Sequence, residues 1–212
     1  MNARQTILGQ VRAQLAIDAT ARPELPAPPL LGPHALDASQ RLQQFTERLL
    51  AAGGKVHLAL QAGQPAAVVA GLLGVDAGRT IVFTAAATVL ALQCELAGRH
   101  GGRELAAGAD RADLLAAGAG ITAAQWGIAE TGTIVLDADA ERSRLCSLLP
   151  PVHIALLPVT RILATLGEAL KTLPRPLPHA VTLVTGPSRT ADIELQLVVG
   201  VHGPRELHVV LT

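Results

Sequence analysis

Aromatic side chains are nearly missing from this chain: two Phe, one Trp and no Tyr stand among 212 residues, half of which are hydrophobic. The core must therefore be packed from Leu, Val, Ile and Ala. That composition suits buried parallel strands covered by Ala- and Leu-rich helices. The shortage also argues against single-stranded nucleic-acid binding, which stacks bases on aromatic rings. Cysteine is as scarce. Cys94 and Cys146 lie far apart, form no CxxC, and cannot supply the four thiolates of an iron–sulphur cluster. Two free thiols in a reducing cytoplasm are expected, and the chain is read as cytoplasmic. Charge excess is absent too, with seventeen basic and seventeen acidic residues, so no nucleic-acid partner is expected. No apolar run approaches about eighteen residues, which predicts no membrane insertion. Residues 1–14 carry Arg4 and Arg12 around a broken apolar pattern, without the continuous h-region of a signal peptide. No internal repeat is visible.

What is present divides the chain in two. Ile7, Leu8, Val11 and Leu15 recur at helical spacing and predict a short amphipathic helix. A run containing Pro23, Pro26, Pro28, Pro29 and Pro33 follows and reads as an extended linker, because proline fixes φ and lacks an amide hydrogen. Residues 1–35 thus form an N-terminal arm, and residues 36–212 the main domain. In that domain Leu42, Phe45, Leu49 and Leu50 form the stripe of a helix that ends at Gly53-Gly54. Val56–Leu60 and Thr80–Phe83 read as strands, Pro65–Leu73 and Ala86–Ala97 as helices. A strand near Gly120–Thr122 is ambiguous in so Ala/Gly-rich a stretch. Gly127–Ala129 and Thr133–Leu136 flank Thr131-Gly132 as a hairpin. His153–Leu157 is a strand, Ile162–Leu173 a helix, and Val181–Val184 and Leu207–Leu211 are the last strands. Strands alternating with helices predict an α/β fold: an open, mostly parallel sheet with helices on both faces.

The chemistry-bearing residues gather in the C-terminal half. Gly186-Pro187-Ser188-Arg189-Thr190 follows a predicted strand, where ligands bind in open α/β sheets. Gly186 allows unusual backbone angles. Ser188 or Thr190 can cap a following helix and expose amides to an anion. The Arg189 guanidinium matches a carboxylate or phosphate bidentately, or else pairs internally with Asp192 or Glu194 and pins the loop. Asp192 and Glu194 are two apart and so face different directions. Glu130 sits at the hairpin turn beside the Thr131 and Thr133 hydroxyls, with Gly132 permitting close backbone approach. His153 lies on a buried strand, where a structural hydrogen bond is expected; His202, in a Gly-flanked loop, is the better pocket candidate. No HxH or HExxH spacing is present, and no metal site is expected. Arg142 and Arg144 read as surface charge or as an extension of an anion site, and Trp126 as a core or interface anchor.

Three segments together resemble the lactate utilisation protein C family, a branch of the LUD-domain proteins. They are Ala129-Glu130-Thr131-Gly132-Thr133 running into Ile134-Val135-Leu136, Ser147–Ile154 with its Pro150-Pro151, and Gly186–Glu194 continuing to Gly200-Val201-His202-Gly203-Pro204. The resemblance is sharp from about Gly127 onward and general before it. It implies a fold similar to the ribose-isomerase and CoA-transferase superfamily. It also implies a role in bacterial oxidation of L-lactate to pyruvate, beside partner subunits that carry iron–sulphur clusters. The expected ligand-binding set is Thr131, Gly132, Thr133, Gly186, Ser188, Arg189, Thr190, Asp192 and His202, for a small anionic metabolite. By analogy with the superfamily's transferases, Glu130 is the candidate for covalent chemistry.

Two main functions stay open on these residues: an accessory subunit of a lactate-oxidising system, and a stand-alone enzyme acting on a small anionic or acyl substrate. A binding module that senses a metabolite is a third. No GxGxxG follows the early strands, which disfavours a nicotinamide dehydrogenase. No cofactor is expected on this chain itself, although a flavin stays open because flavin sites often lack a short motif.

Overall fold

The computed structural model describes residues 3–18, 36–74, 80–97, 99, 102–106, 108–191, 197–199 and 203–212. The chain divides into two units, Met1–His34 and Ala35–Thr212. The first holds helix α1 (Ala3–Asp18), where a helix is expected. The proline run that follows lies outside the described residues.

The second unit opens with α2 (Ala38–Ala51). Asp37 caps it: its carboxylate accepts from the Gln40 amide while the Gln40 side chain accepts from the Asp37 amide. Phe45 and Leu49 are the buried stripe, and the helix stops at Gly53, whose φ of 87° few other residues adopt. Strand β1 (Lys55–Leu58), helix α3 (Gln64–Leu73), strand β2 (Thr80–Phe83), helix α4 (Ala87–Leu96), strand β3 (Arg103–Ala106), helix α5 (Arg111–Ala116) and strand β4 (Ala119–Ala123) follow in alternation. The sequence reading leaves β3 and α5 unassigned; both are short and set among Ala and Gly.

After β4 the chain leaves the main sheet. It forms a hairpin of β5 (Trp126–Ile128) and β6 (Thr133–Asp137), then two single-turn helices, α6 (Ala138–Glu141) and α7 (Leu145–Leu148). Strand β7 (Val152–Leu157) returns to the sheet. A second excursion carries β8 (Ile162–Leu163), α8 (Leu166–Thr172), β9 (Val181–Val184), β10 (Arg189–Ala191) and β11 (Leu197–Val199), before β12 (Glu206–Leu211) closes the fold.

Among the described residues the main sheet has six strands in the order β1-β12-β7-β4-β2-β3, all parallel. Its central strands β4, β7 and β12 are buried and largely aliphatic, as parallel strands covered on both faces are, with Thr122, His153 and His208 as their buried polar residues. One face packs Ile81, Phe83, Ile121, Ile154 and Val210 against α3 and α4. The other packs β7 and β12 against α2 and the second sheet, and Val82 against α5 and α7. The expected fold class is therefore found, with an addition: the two excursions build a second, mixed sheet in the order β8-β5-β6-β9. Trp126 lies half-buried with Ile128, Val135 and Ala169 between that sheet and α8.

Two expectations need correction. The helix expected over Ile162–Leu173 begins only at Leu166, because Ile162 and Leu163 pair with Gly127 and Ile128 as β8. Among the described residues, no helix follows Gly186 for Ser188 or Thr190 to cap. Arg189–Ala191 instead pair antiparallel with Leu197–Val199. Moreover β9, which precedes Gly186, belongs to the mixed sheet, so its end is not the carboxyl edge of the parallel one.

Candidate functional site

The motif residues converge, and they do so on the C-terminal turn of α2. Gly132 (φ 65°) lies so close to it that a Cβ would fall 2.2 Å from the Leu49 amide nitrogen. Gly186 (φ 79°) lies equally close, its would-be Cβ 2.4 Å from the Ala52 carbonyl oxygen. Arg189 completes the contact by donating from Nη2 to that same carbonyl, at 2.6 Å. A helix C-terminus carries unpaired carbonyls and partial negative charge, and a guanidinium there satisfies both. The Thr133 hydroxyl bonds Thr131 Oγ1 at 2.7 Å and Thr185 Oγ1 at 2.6 Å, tying the hairpin turn to the end of β9. The Ser188 amide donates to the Pro204 carbonyl at 2.8 Å. Thr190 sits in β10. Asp192, Glu194 and His202 lie outside the described residues.

Glu130 turns away from this cluster. Its Oε1 accepts from the Leu166 amide at 2.7 Å, at the start of α8. A carboxylate at a helix N-terminus is well placed electrostatically.

A second site, unmarked by any sequence motif, opens at the carboxyl edge of the parallel sheet. It is a crevice of about 600 Å³. Five strands contribute the residue at or just past their ends: Ala59, Ala86, Ala124, Pro158 and Thr212 after β1, β2, β4, β7 and β12. The first turns of α3 and α4 form one wall, and Gln125 and Arg161 stand on the other. Eight of the twenty lining residues are alanines, which is why room remains where larger side chains would have filled it. Neither Gly63 nor Ala86 caps its helix with a side chain, so the α4 wall presents the uncapped amides of Ala87 and Thr88. The buried floor is apolar (Ala59, Leu92, Ala123, Ala124, Leu156), while Gln61, Thr88, Glu95 and Arg161 line the exposed rim.

Behind the floor lies a buried polar frame. Glu141 accepts from the Ala123 amide at 3.1 Å and from Gln125 Nε2 at 3.0 Å, holding the β4–β5 corner. Burial pushes its carboxyl pKa up, opposed by those same hydrogen bonds. His153 is fully buried on β7, with Nε2 2.9 Å from Thr122 Oγ1 and Nδ1 without a partner among the described residues. Burial pushes its pKa down to about 4, so the ring is held neutral. Arg142, in the left-handed conformation, ends α6 at the surface, and Arg144 lines a small void of about 10 Å³ beside Glu141. Cys94 is exposed and Cys146 buried, both as free thiols. No group of three or more His, Cys, Asp or Glu able to hold a metal occurs among the described residues. No described helix is long and apolar enough to cross a membrane.

Comparison with known proteins places this architecture. The LUD domain model matches residues 42–212, the whole of the crevice and the motif cluster included. The chain belongs to the LUD domain family. It is 43% identical over 94 residues to lactate utilization protein C of Macrococcus caseolyticus, a match covering 42% of this chain and 41% of that one. It is 40% identical over 94 residues to lactate utilization protein C of Bacillus subtilis, covering 42% and 39%. An uncharacterized protein, NMB1437 of Neisseria meningitidis, is 44% identical over 92 residues, covering 42% and 40%. The matches thus span about two fifths of the length of these relatives. Among solved structures, a DUF162 family protein from Deinococcus radiodurans superposes with a TM-score of 0.63 at 28% identity, covering 83% of this chain and 98% of that one. The resemblance to lactate utilisation protein C read from the three motifs therefore holds, and the fold is that of a LUD domain.

The sequence directs attention to the motif loops and passes over the crevice. The signal there is that one predicted strand runs into small residues before a helix, Thr84 to Ala87.

Proposed function

We propose that this LUD domain protein is an accessory subunit of a bacterial L-lactate utilisation system, acting beside iron–sulphur partner subunits and binding an anionic ligand in the crevice. The pathway rests on the lactate utilization protein C relatives. The division of labour rests on the two lone cysteines, which cannot ligate a cluster. The observation that carries the choice of site is electrostatic. The crevice is faced by the N-terminal ends of α3 and α4 and by Arg161, whose Nη1 also donates to the Gln125 carbonyl at 3.5 Å, whereas the motif cluster gathers at the C-terminal end of α2, where an anion is repelled. In this reading Gly132, Thr133, Gly186 and Arg189 join the second sheet to α2 and so support the parallel sheet whose edge forms the crevice. Thr131 and Ser188 belong to that bracing. The alternative, an enzyme with Glu130 as nucleophile, gains no support from a carboxylate already spent on the Leu166 amide.

The test is affinity purification of the tagged chain from a lactate-grown host, with the eluate assayed for iron and for L-lactate-dependent dye reduction. Co-elution of iron-bearing subunits with lactate oxidation is expected. A chain that elutes alone and inert overturns the stable-subunit reading.

A further inference from the structure

Accepting the crevice as the ligand site, we infer that its ligand is not lactate or pyruvate but an amphiphilic anion several times larger: an apolar body carrying one carboxylate, sulfonate or phosphate.

Size decides first. Lactate has six non-hydrogen atoms; at no more than ~30 Å³ each, the volume share of a water molecule, they fill at most about 180 Å³. The crevice measures about 600 Å³. On the same scale it has room for about twenty non-hydrogen atoms. A three-carbon acid would leave most of the space to water lying against alanine methyls, Leu92, Leu156 and Pro158. Drug-sized ligands occupy pockets of this volume.

The distribution of polarity decides second. A hydroxy acid presents a carboxylate and a hydroxyl within a few ångströms, and its burial requires donors converging on both. Here the buried floor is apolar throughout, and the polar groups are spaced around the exposed rim. A ligand with an apolar body on the floor and one charged group at the rim satisfies both regions; a compact polar ligand satisfies neither.

The rim is also asymmetric. Arg161 is the only cationic side chain in the lining and Glu95 the only acidic one. Glu95 lies eight residues along α4 from Ala87, about 12 Å at the helical rise. The anionic group therefore pairs with Arg161 and avoids Glu95, toward which a neutral or hydrogen-bond-donating end of the ligand lies.

Anilinonaphthalene sulfonate has this form, and its fluorescence reports binding by the folded full-length chain. Saturable binding of one dye per chain is expected. Ala91→Leu, which adds bulk on the α4 wall, weakens it at least about tenfold. Arg161→Ala weakens it several-fold. Ala67→Leu, on an exposed α3 position outside the crevice, leaves it unchanged. Millimolar lactate or pyruvate does not displace the dye. Displacement by lactate or pyruvate, lost in Ala91→Leu, overturns the size inference while leaving the crevice as the ligand site. Dye binding indifferent to both Ala91→Leu and Arg161→Ala overturns the inference and the crevice reading together.

Discussion

Gly132→Val is expected to cost about 4 kcal/mol of stability, lowering the melting temperature by roughly 10 °C for a domain of this size. Two effects add. At φ 65° the backbone is in the left-handed region, which a β-branched residue tolerates poorly. The added Cβ also meets backbone, 2.2 Å from the Leu49 nitrogen and 2.6 Å from the Arg48 carbonyl carbon, so no side-chain rotation relieves it. Gly63 separates the two effects. Its φ is 77°, but nothing lies within 4 Å of the Cβ position, so Gly63→Ala should lose only about 1 kcal/mol. Thermal melts of both variants check this. If Gly132→Val melts no lower than Gly63→Ala, the hairpin turn does not rest on α2 as described.

Acid should destabilise the domain through His153. Its folded-state pKa is pushed down to about 4 from an ordinary 6.5, so between these values the unfolded chain binds the proton and the folded chain does not. The stabilising contribution is complete above about pH 6.5, declines as pH falls, and is gone below about pH 4. The shift amounts to about 3 kcal/mol. His57 and His208, whose rings stack with centroids 5.3 Å apart, are shifted down as well, chiefly by burial, and act in the same direction. Glu141 acts against them: its raised pKa means that protonation favours the folded state as pH falls toward 4.5. His153→Gln isolates the first contribution, since the amide nitrogen can replace Nε2 toward Thr122 without titrating in this range. Urea midpoints measured from pH 7.5 to 4 should fall more steeply in the wild type than in the variant. Superimposable acid limbs would remove His153 as the cause.

The main sheet is legible in the sequence because its strands are buried on both faces. His153–Leu157 and Leu207–Leu211 are aliphatic runs holding one histidine each, and Gly53-Gly54 punctuates the end of α2. Short elements such as β3 and α5 are not legible, since four to six residues set among Ala and Gly carry no period. The motif loops are visible as Gly132 and Gly186. What presses on those glycines is α2, more than seventy residues earlier in the chain, and no local pattern shows it. The same holds for Arg189: its side-chain chemistry suits an anion, and only the fold reveals the Ala52 carbonyl as its partner. The crevice escapes notice because it is made of what alanine leaves empty. Residues such as Ala59, Ala91 and Ala124 have no chemistry to announce, and their role emerges only where five strand ends and two helix starts meet.

The central claim is that this crevice is where the protein works in lactate utilisation. The most direct measurement is growth on L-lactate of a host whose own copy is replaced by the Ala91→Leu chain, beside one carrying Ala67→Leu. The account predicts that both proteins accumulate and melt like the wild type, that Ala67→Leu supports growth, and that Ala91→Leu does not. Wild-type growth on L-lactate of the Ala91→Leu host would contradict it.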